Sequence, residues 1–71
     1  MDIVKACKAA SYYGCCIARV DKQGDIRFDS KIRPTNSDDR LCEVMKLDGS
    51  NPRRGWQPKL EDLLADDWTV I

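Results

Sequence analysis

Asp2-Ile3-Val4-Lys5-Ala6-Cys7-Lys8-Ala9-Ala10-Ser11-Tyr12-Tyr13-Gly14-Cys15-Cys16-Ile17-Ala18-Arg19-Val20 changes its hydrophobic period at Gly14, and that change decides the fold. Before the glycine, Ile3, Ala6, Cys7 and Ala10 recur at the i, i+3, i+4, i+7 spacing of one helical face, with Lys5 and Lys8 on the other. Asp2 carries the short polar side chain that suits an N-cap, so the spacing predicts a helix over residues 3 to 11 with a frayed turn from Ser11 to Tyr13. Gly14 ends it, because glycine enters the left-handed region without a Cβ penalty. Beyond it, Cys15 to Val20 is a β-rich run whose side chains alternate between two faces.

Downstream, Ile26 and Phe28 alternate with Arg27 and Asp29. Asp21-Lys22-Gln23-Gly24-Asp25 joins the two runs and holds the glycine that a short β-connection wants, so a hairpin is expected. Ser30 to Arg40 is polar, contains Pro34, Asn36 and two aspartates, and reads as a loop that is exposed or folded over an interface. Leu41 to Leu47 reads as a third strand, Asp48-Gly49-Ser50-Asn51-Pro52 turns the chain, and Arg53 to Gln57 makes a short fourth strand. After Pro58, Leu60 to Ala65 combines helix formers with early acidic residues, which suit the positive end of a helix dipole. Trp68, Val70 and Ile71 form a final strand. The expected fold is α+β, an N-terminal helix packed on a small antiparallel sheet with a short helical turn before the last strand. No repeat, linker or low-complexity tract interrupts residues 1–71, so a single domain is expected.

A chain of 71 residues buries only about 60% of its unfolded surface, so its core supplies a few kcal/mol and a further staple is expected. Cys7, Cys15, Cys16 and Cys42 do not offer a metal site: there is no CxxC, no histidine, and two of the four are adjacent, which on a strand point apart. A disulfide framework needs an oxidising compartment, yet Met1 leads into a charged segment with no apolar signal region, so a cytoplasmic location is expected. The cysteines then read as small reduced apolar residues. Self-association is left as the staple, giving a homo-oligomer, dimer or tetramer. The balance of 12 basic against 12 acidic residues gives no electrostatic case for nucleic acid, and no apolar run of about 18 residues is present to span a membrane.

Catalysis is disfavoured. Without histidine the usual general base is absent, and a cysteine nucleophile lacks an imidazole to activate it. Asp38-Asp39 and Asp66-Asp67 are carboxylate pairs, but sequence neighbours diverge on a strand and read better as a solvated turn and a helix end. No GxGxxG or GxxxxGK[ST] cradles a phosphate, and no cofactor is implied. Binding is better supported. Trp56 and Trp68 stand in a charge-rich region, with Arg53 and Arg54 just before Trp56 and Arg19 and Arg27 around the first hairpin. A nucleobase stacks on an aromatic face while arginines meet its phosphates. The competing reading puts both tryptophans in the core.

The segment Gly55-Trp56-Gln57-Pro58-Lys59-Leu60-Glu61-Asp62-Leu63-Leu64-Ala65-Asp66-Asp67-Trp68-Thr69-Val70-Ile71 resembles the C-terminal signature of the Thoeris anti-defense family of small phage proteins. That signature is a tryptophan, a proline, an acidic residue, then D-L-L-A-x-D-W and a short apolar end. The amphipathic helix followed by Ile17-Ala18-Arg19 is similar to the family's opening. Two departures stand out: Val20-Asp21 replaces a Gly-Trp that many members carry, and the chain is shorter than the best-known members. The aromatic lid is then absent or supplied by Tyr12, Tyr13 or Phe28. The resemblance implies non-catalytic sequestration of a cyclic nucleotide immune messenger, of the cyclic ADP-ribose type or a cyclic dinucleotide, in the infected bacterial cell, by a homo-oligomer with pockets at subunit interfaces. On this reading Trp56 stacks on the base, Arg19, Arg53 and Arg54 meet the phosphates, and Asp66 or Asp67 accepts a ribose hydroxyl. The same broad family includes inhibitors of CRISPR nucleases, so the alternative is a protein-protein inhibitor contacting its target through Ser30 to Arg40.

Overall fold

The computed structural model describes residues 1–39 and 41–71. Helix α1 spans Ile3–Tyr13, two residues beyond the expected end, and both of its ends are capped by local chemistry. The Asp2 carboxylate accepts from the Lys5 N–H at 2.8 Å, and Gly14 adopts φ 68°, which lets its N–H return to the Ala10 carbonyl. The inward face of α1 buries Ala6 and Ala10 completely, with Ile3 and Cys7 half-buried beside them.

Four strands follow, β1 (Ile17–Arg19), β2 (Ser30–Arg33), β3 (Glu43–Lys46) and β4 (Trp68–Val70), with the five-residue helix α2 (Leu60–Leu64) before the last. The sheet runs in the order β3-β2-β1-β4 and every pairing is antiparallel. β1 is therefore central and buried along its whole length. Ile17, fully buried, pairs with Ile32 on one side and Val70 on the other, and joins Ala6, Ala10, Ile32 and Trp68 in the core. Burying such a side chain contributes about 1.5–3 kcal/mol.

Three local expectations are corrected. Ser30–Arg33, expected as the start of a loop, is a strand, because four consecutive residues pair with β3 from Ser30↔Lys46 to Arg33↔Glu43. Arg40, the last residue of that expected loop, lies outside the described residues. The strand expected at Ile26 and Phe28 contracts to the single bridge Val20↔Ile26, since Asp21 folds the connection onto itself by accepting from the Gln23 and Asp25 N–H groups. The strand expected at Arg53 to Gln57 likewise contracts to the bridge Val44↔Arg53, followed by a Trp56 N–H bond to the Cys42 carbonyl at 2.9 Å.

All four cysteines are free thiols, and Cys7, Cys15 and Cys42 pack against the core. Burial, then the neighbouring Cys42, pushes the Cys7 thiol up, which keeps it protonated and unreactive. Reducing agent and chelator should each leave the melting temperature within about a degree of the untreated protein, because the cysteines are already free thiols and the described residues group no side chains to hold a metal. A drop of several degrees in a thermal melt with either one would contradict this.

Candidate functional site

Arg19 ends β1 opposite Trp68 in the β1–β4 ladder, and only 8% of it reaches solvent. A guanidinium so placed must be paired to offset its lost hydration. Its Nε donates to Asp67 Oδ1 at 2.8 Å and its Nη2 to Asp67 Oδ2 at 3.3 Å, the two-pronged geometry of arginine on carboxylate. Its Nη1 donates to Asp62 Oδ1 at 3.1 Å and to Glu61 Oε1 at 3.4 Å. Arg27 joins from the connection after β1, donating to Asp67 Oδ2 at 2.6 Å. Both guanidinium carbons sit over the Phe28 ring, 5.5 and 5.2 Å from its centroid, within cation–π range. One arginine of β1 thus holds the acids of α2 and the residue leading into β4.

The hydrogen bond from Arg19 holds the Asp67 carboxyl below the ordinary aspartate range, opposed by burial and aided by Arg27. The hydrogen bond to Asp67 in turn raises the Arg19 guanidinium further above its ordinary value, with burial opposing. A depressed folded-state pKa contributes stability that is present above the unfolded value, about 3.9 for aspartate, and is lost as pH falls through the folded one. Urea midpoints should therefore fall below about pH 4 in the wild type and fall less steeply in Asp67→Asn. Parallel profiles for the two proteins would remove Asp67 from the acid sensitivity.

The other wall is aromatic. Trp56 is half-buried and meets Trp68 edge to face, with ring centroids 5.9 Å apart and planes at 84°. Trp68 is buried, and its indole Nε1 donates to the Asp62 carbonyl at 2.8 Å, which ties β4 to α2. Between the ion cluster and the tryptophans lies a cleft of about 240 Å³, lined among others by Arg19, Phe28, Trp56, Lys59, Glu61 and Asp62. Lys59 stands at the head of α2, where its backbone N–H donates to Asp62 Oδ2 at 2.9 Å and leaves the ammonium outside the capping arrangement.

Of the residues expected in a site, the structure brings Arg19 and Trp56 to this cleft and places Asp67 behind it on Arg19. Asp67 is half-buried, which differs from the solvated helix end expected from sequence. Asp66 is exposed and lines a separate recess with Asp21 and Lys22. Arg53 lines another recess with Asp29 and Asn51. Arg54 pairs with Asp39 at 3.1 Å across an exposed surface, a contact worth about 0–1 kcal/mol. Lys59, Glu61 and Asp62 were not anticipated as site residues, since in sequence they read only as the opening of a helix. Among the described residues no group of three or more histidine, cysteine or acidic side chains is arranged to hold a metal.

The sequence model of the Thoeris anti-defense 2-like domain matches residues 1–71, the whole chain. No curated protein and no solved structure matches it.

Proposed function

Because the chain belongs to the Thoeris anti-defense 2-like domain family, whose name supports a phage anti-defense role, we propose that it captures a cyclic nucleotide immune messenger without degrading it. The observation that carries this reading is the cleft in which half-buried Trp56 stands beside paired charges, with the 47% exposed Phe28 at its edge under the Arg19 and Arg27 guanidiniums. Bases stack on aromatic faces, and Glu61, 67% exposed beyond its contact with Arg19, has carboxylate lone pairs free for a ribose hydroxyl. Capture without chemistry fits the electrostatics: Asp67 is held ionised by an arginine that cannot take a proton, Asp62 is tied to the same guanidinium, and the sequence has no histidine to act as a base.

A volume of about 240 Å³ lies below the range of roughly 300–1,000 Å³ usual for pockets that enclose drug-sized ligands. One chain then receives about one nucleoside, and the remainder of the messenger lies against a second copy. Self-association has apolar surface to use: Leu60 and Leu64, four residues apart on α2, are 70% and 74% exposed, and Val4 on α1 is 59% exposed.

Purified protein mixed with a panel of cyclic nucleotides and then heated should release one of them intact. Trp56→Ala should weaken binding of that ligand by about ten- to a hundredfold, the worth of one base–aromatic stack, while circular dichroism shows the fold retained. Light scattering should give an oligomer at micromolar concentration. A folded Trp56→Ala protein that binds as well as wild type, or a wild type that retains no nucleotide, would leave the protein-protein inhibitor as the better reading.

A further inference from the structure

Two cations line the cleft, and their circumstances differ. Arg19 has four of its five N–H donors directed at Asp67, Asp62 and Glu61, and it is almost wholly buried. Together with Arg27 it faces three carboxylates, so the cluster carries a net negative charge before any ligand arrives. A phosphate approaching Arg19 would meet like charge and would have to displace bonds already formed. Lys59 lines the same cleft, is exposed, and makes no ion pair among the described residues. Its ammonium has three donors on a flexible stem and is the cation that can turn to an entering anion without breaking the fold.

We infer that Lys59 is the phosphate-binding residue of this cleft, and that Arg19 is a positioning residue that fixes α2 and β4 against β1. The ligand class is a nucleotide that presents one phosphate or pyrophosphate group to Lys59 while its base lies on Trp56. This rests on the nucleotide-capture reading for the base, but not for the anion. A ligand with its phosphates wrapped around an arginine cluster is a poor fit to the site.

The experiment uses the full chain and three probes, pyrophosphate, adenosine and AMP, followed by the amide and indole signals of the cleft in NMR spectra. Pyrophosphate should shift the signals of Ala18, Trp56 and Lys59 in the wild type. Lys59→Gln should weaken pyrophosphate and AMP by about tenfold, the worth of one charge-assisted hydrogen bond, and leave adenosine unchanged. Lys59→Arg should restore most of the loss. The Lys59 ammonium has no lone pair with which to cap the helix, and the Asp62 N–H bonds to the Lys59 carbonyl at 3.0 Å, so these variants should fold as the wild type does. If pyrophosphate leaves the cleft signals unmoved, or moves them equally in Lys59→Gln, the assignment of Lys59 is overturned. If pyrophosphate binds through Lys59 while no cyclic nucleotide of the panel is retained, the assignment stands and the messenger reading alone fails.

Discussion

Trp68→Ala is expected to leave the protein largely unfolded at 25 °C. Trp68 is 4% exposed, packs in the core with Ala6, Ala10, Ile17 and Ile32, and meets Trp56 edge to face. Removing a buried tryptophan costs about 3–5 kcal/mol through lost transfer energy and the cavity left behind. A chain of 71 residues has a total stability of roughly 4–10 kcal/mol, so the substitution removes much or all of it. Trp68→Phe keeps most of the ring but leaves the Asp62 carbonyl without its indole donor, and should cost about 1–3 kcal/mol. Circular dichroism and thermal melting separate the three proteins. A cooperative Trp68→Ala melt within a few degrees of wild type would show that the core does not depend on this ring.

Arg19→Met should have the second largest effect, and a pH signature that a simple cavity cannot give. The substitution keeps a similar apolar stem but strips the cation from Asp67, Asp62 and Glu61. Taking one partner from a buried ion pair costs about 3–5 kcal/mol, and the lower end applies because Asp62 and Asp67 are 20% and 26% exposed and Arg27 stays on Asp67. Without Arg19 the Asp67 carboxyl loses the largest cause of its depressed pKa and keeps only Arg27, so the variant should lose less further stability than the wild type as pH falls below about 4. The wild type loses stability there because its Asp67 is held ionised by Arg19. Urea unfolding at about pH 7 and about pH 3 compares the two losses, and equal losses would show that Arg19 is not what holds Asp67 ionised.

The parts of the fold that sequence reveals are those whose causes are local. α1 announces itself through a 3.6-residue period and two caps within a few residues of its ends, Asp2 and Gly14, and the structure places it accordingly. β4 is visible because Trp68 and Val70 alternate with Thr69. β2 is not visible, since Ser-Lys-Ile-Arg has one apolar residue and no alternation to follow; what makes it a strand is its pairing with β3, a tertiary cause. The same distinction holds for the cleft. Trp56 and Arg19 can be named from their chemistry alone. Phe28 under two guanidiniums, and Lys59 beside Glu61 and Asp62, acquire meaning only when the Arg19 side chain reaches from β1 to the acids of α2. Nothing in the spacing of those residues says that Arg19 will be enclosed by acids rather than open to a ligand.

β4 is the last strand in the chain, yet it lies beside the central one, and Arg19 and Asp67 meet across a separation of 48 residues. Three residue pairs hold β4 on β1, while Trp68 backs the cleft and Asp67 anchors Arg19 from the residue before the strand. Local opening of β4 would therefore dismantle the aromatic wall and the arginine anchor together, and hydrogen exchange at the β4 amides should report the integrity of the whole cleft.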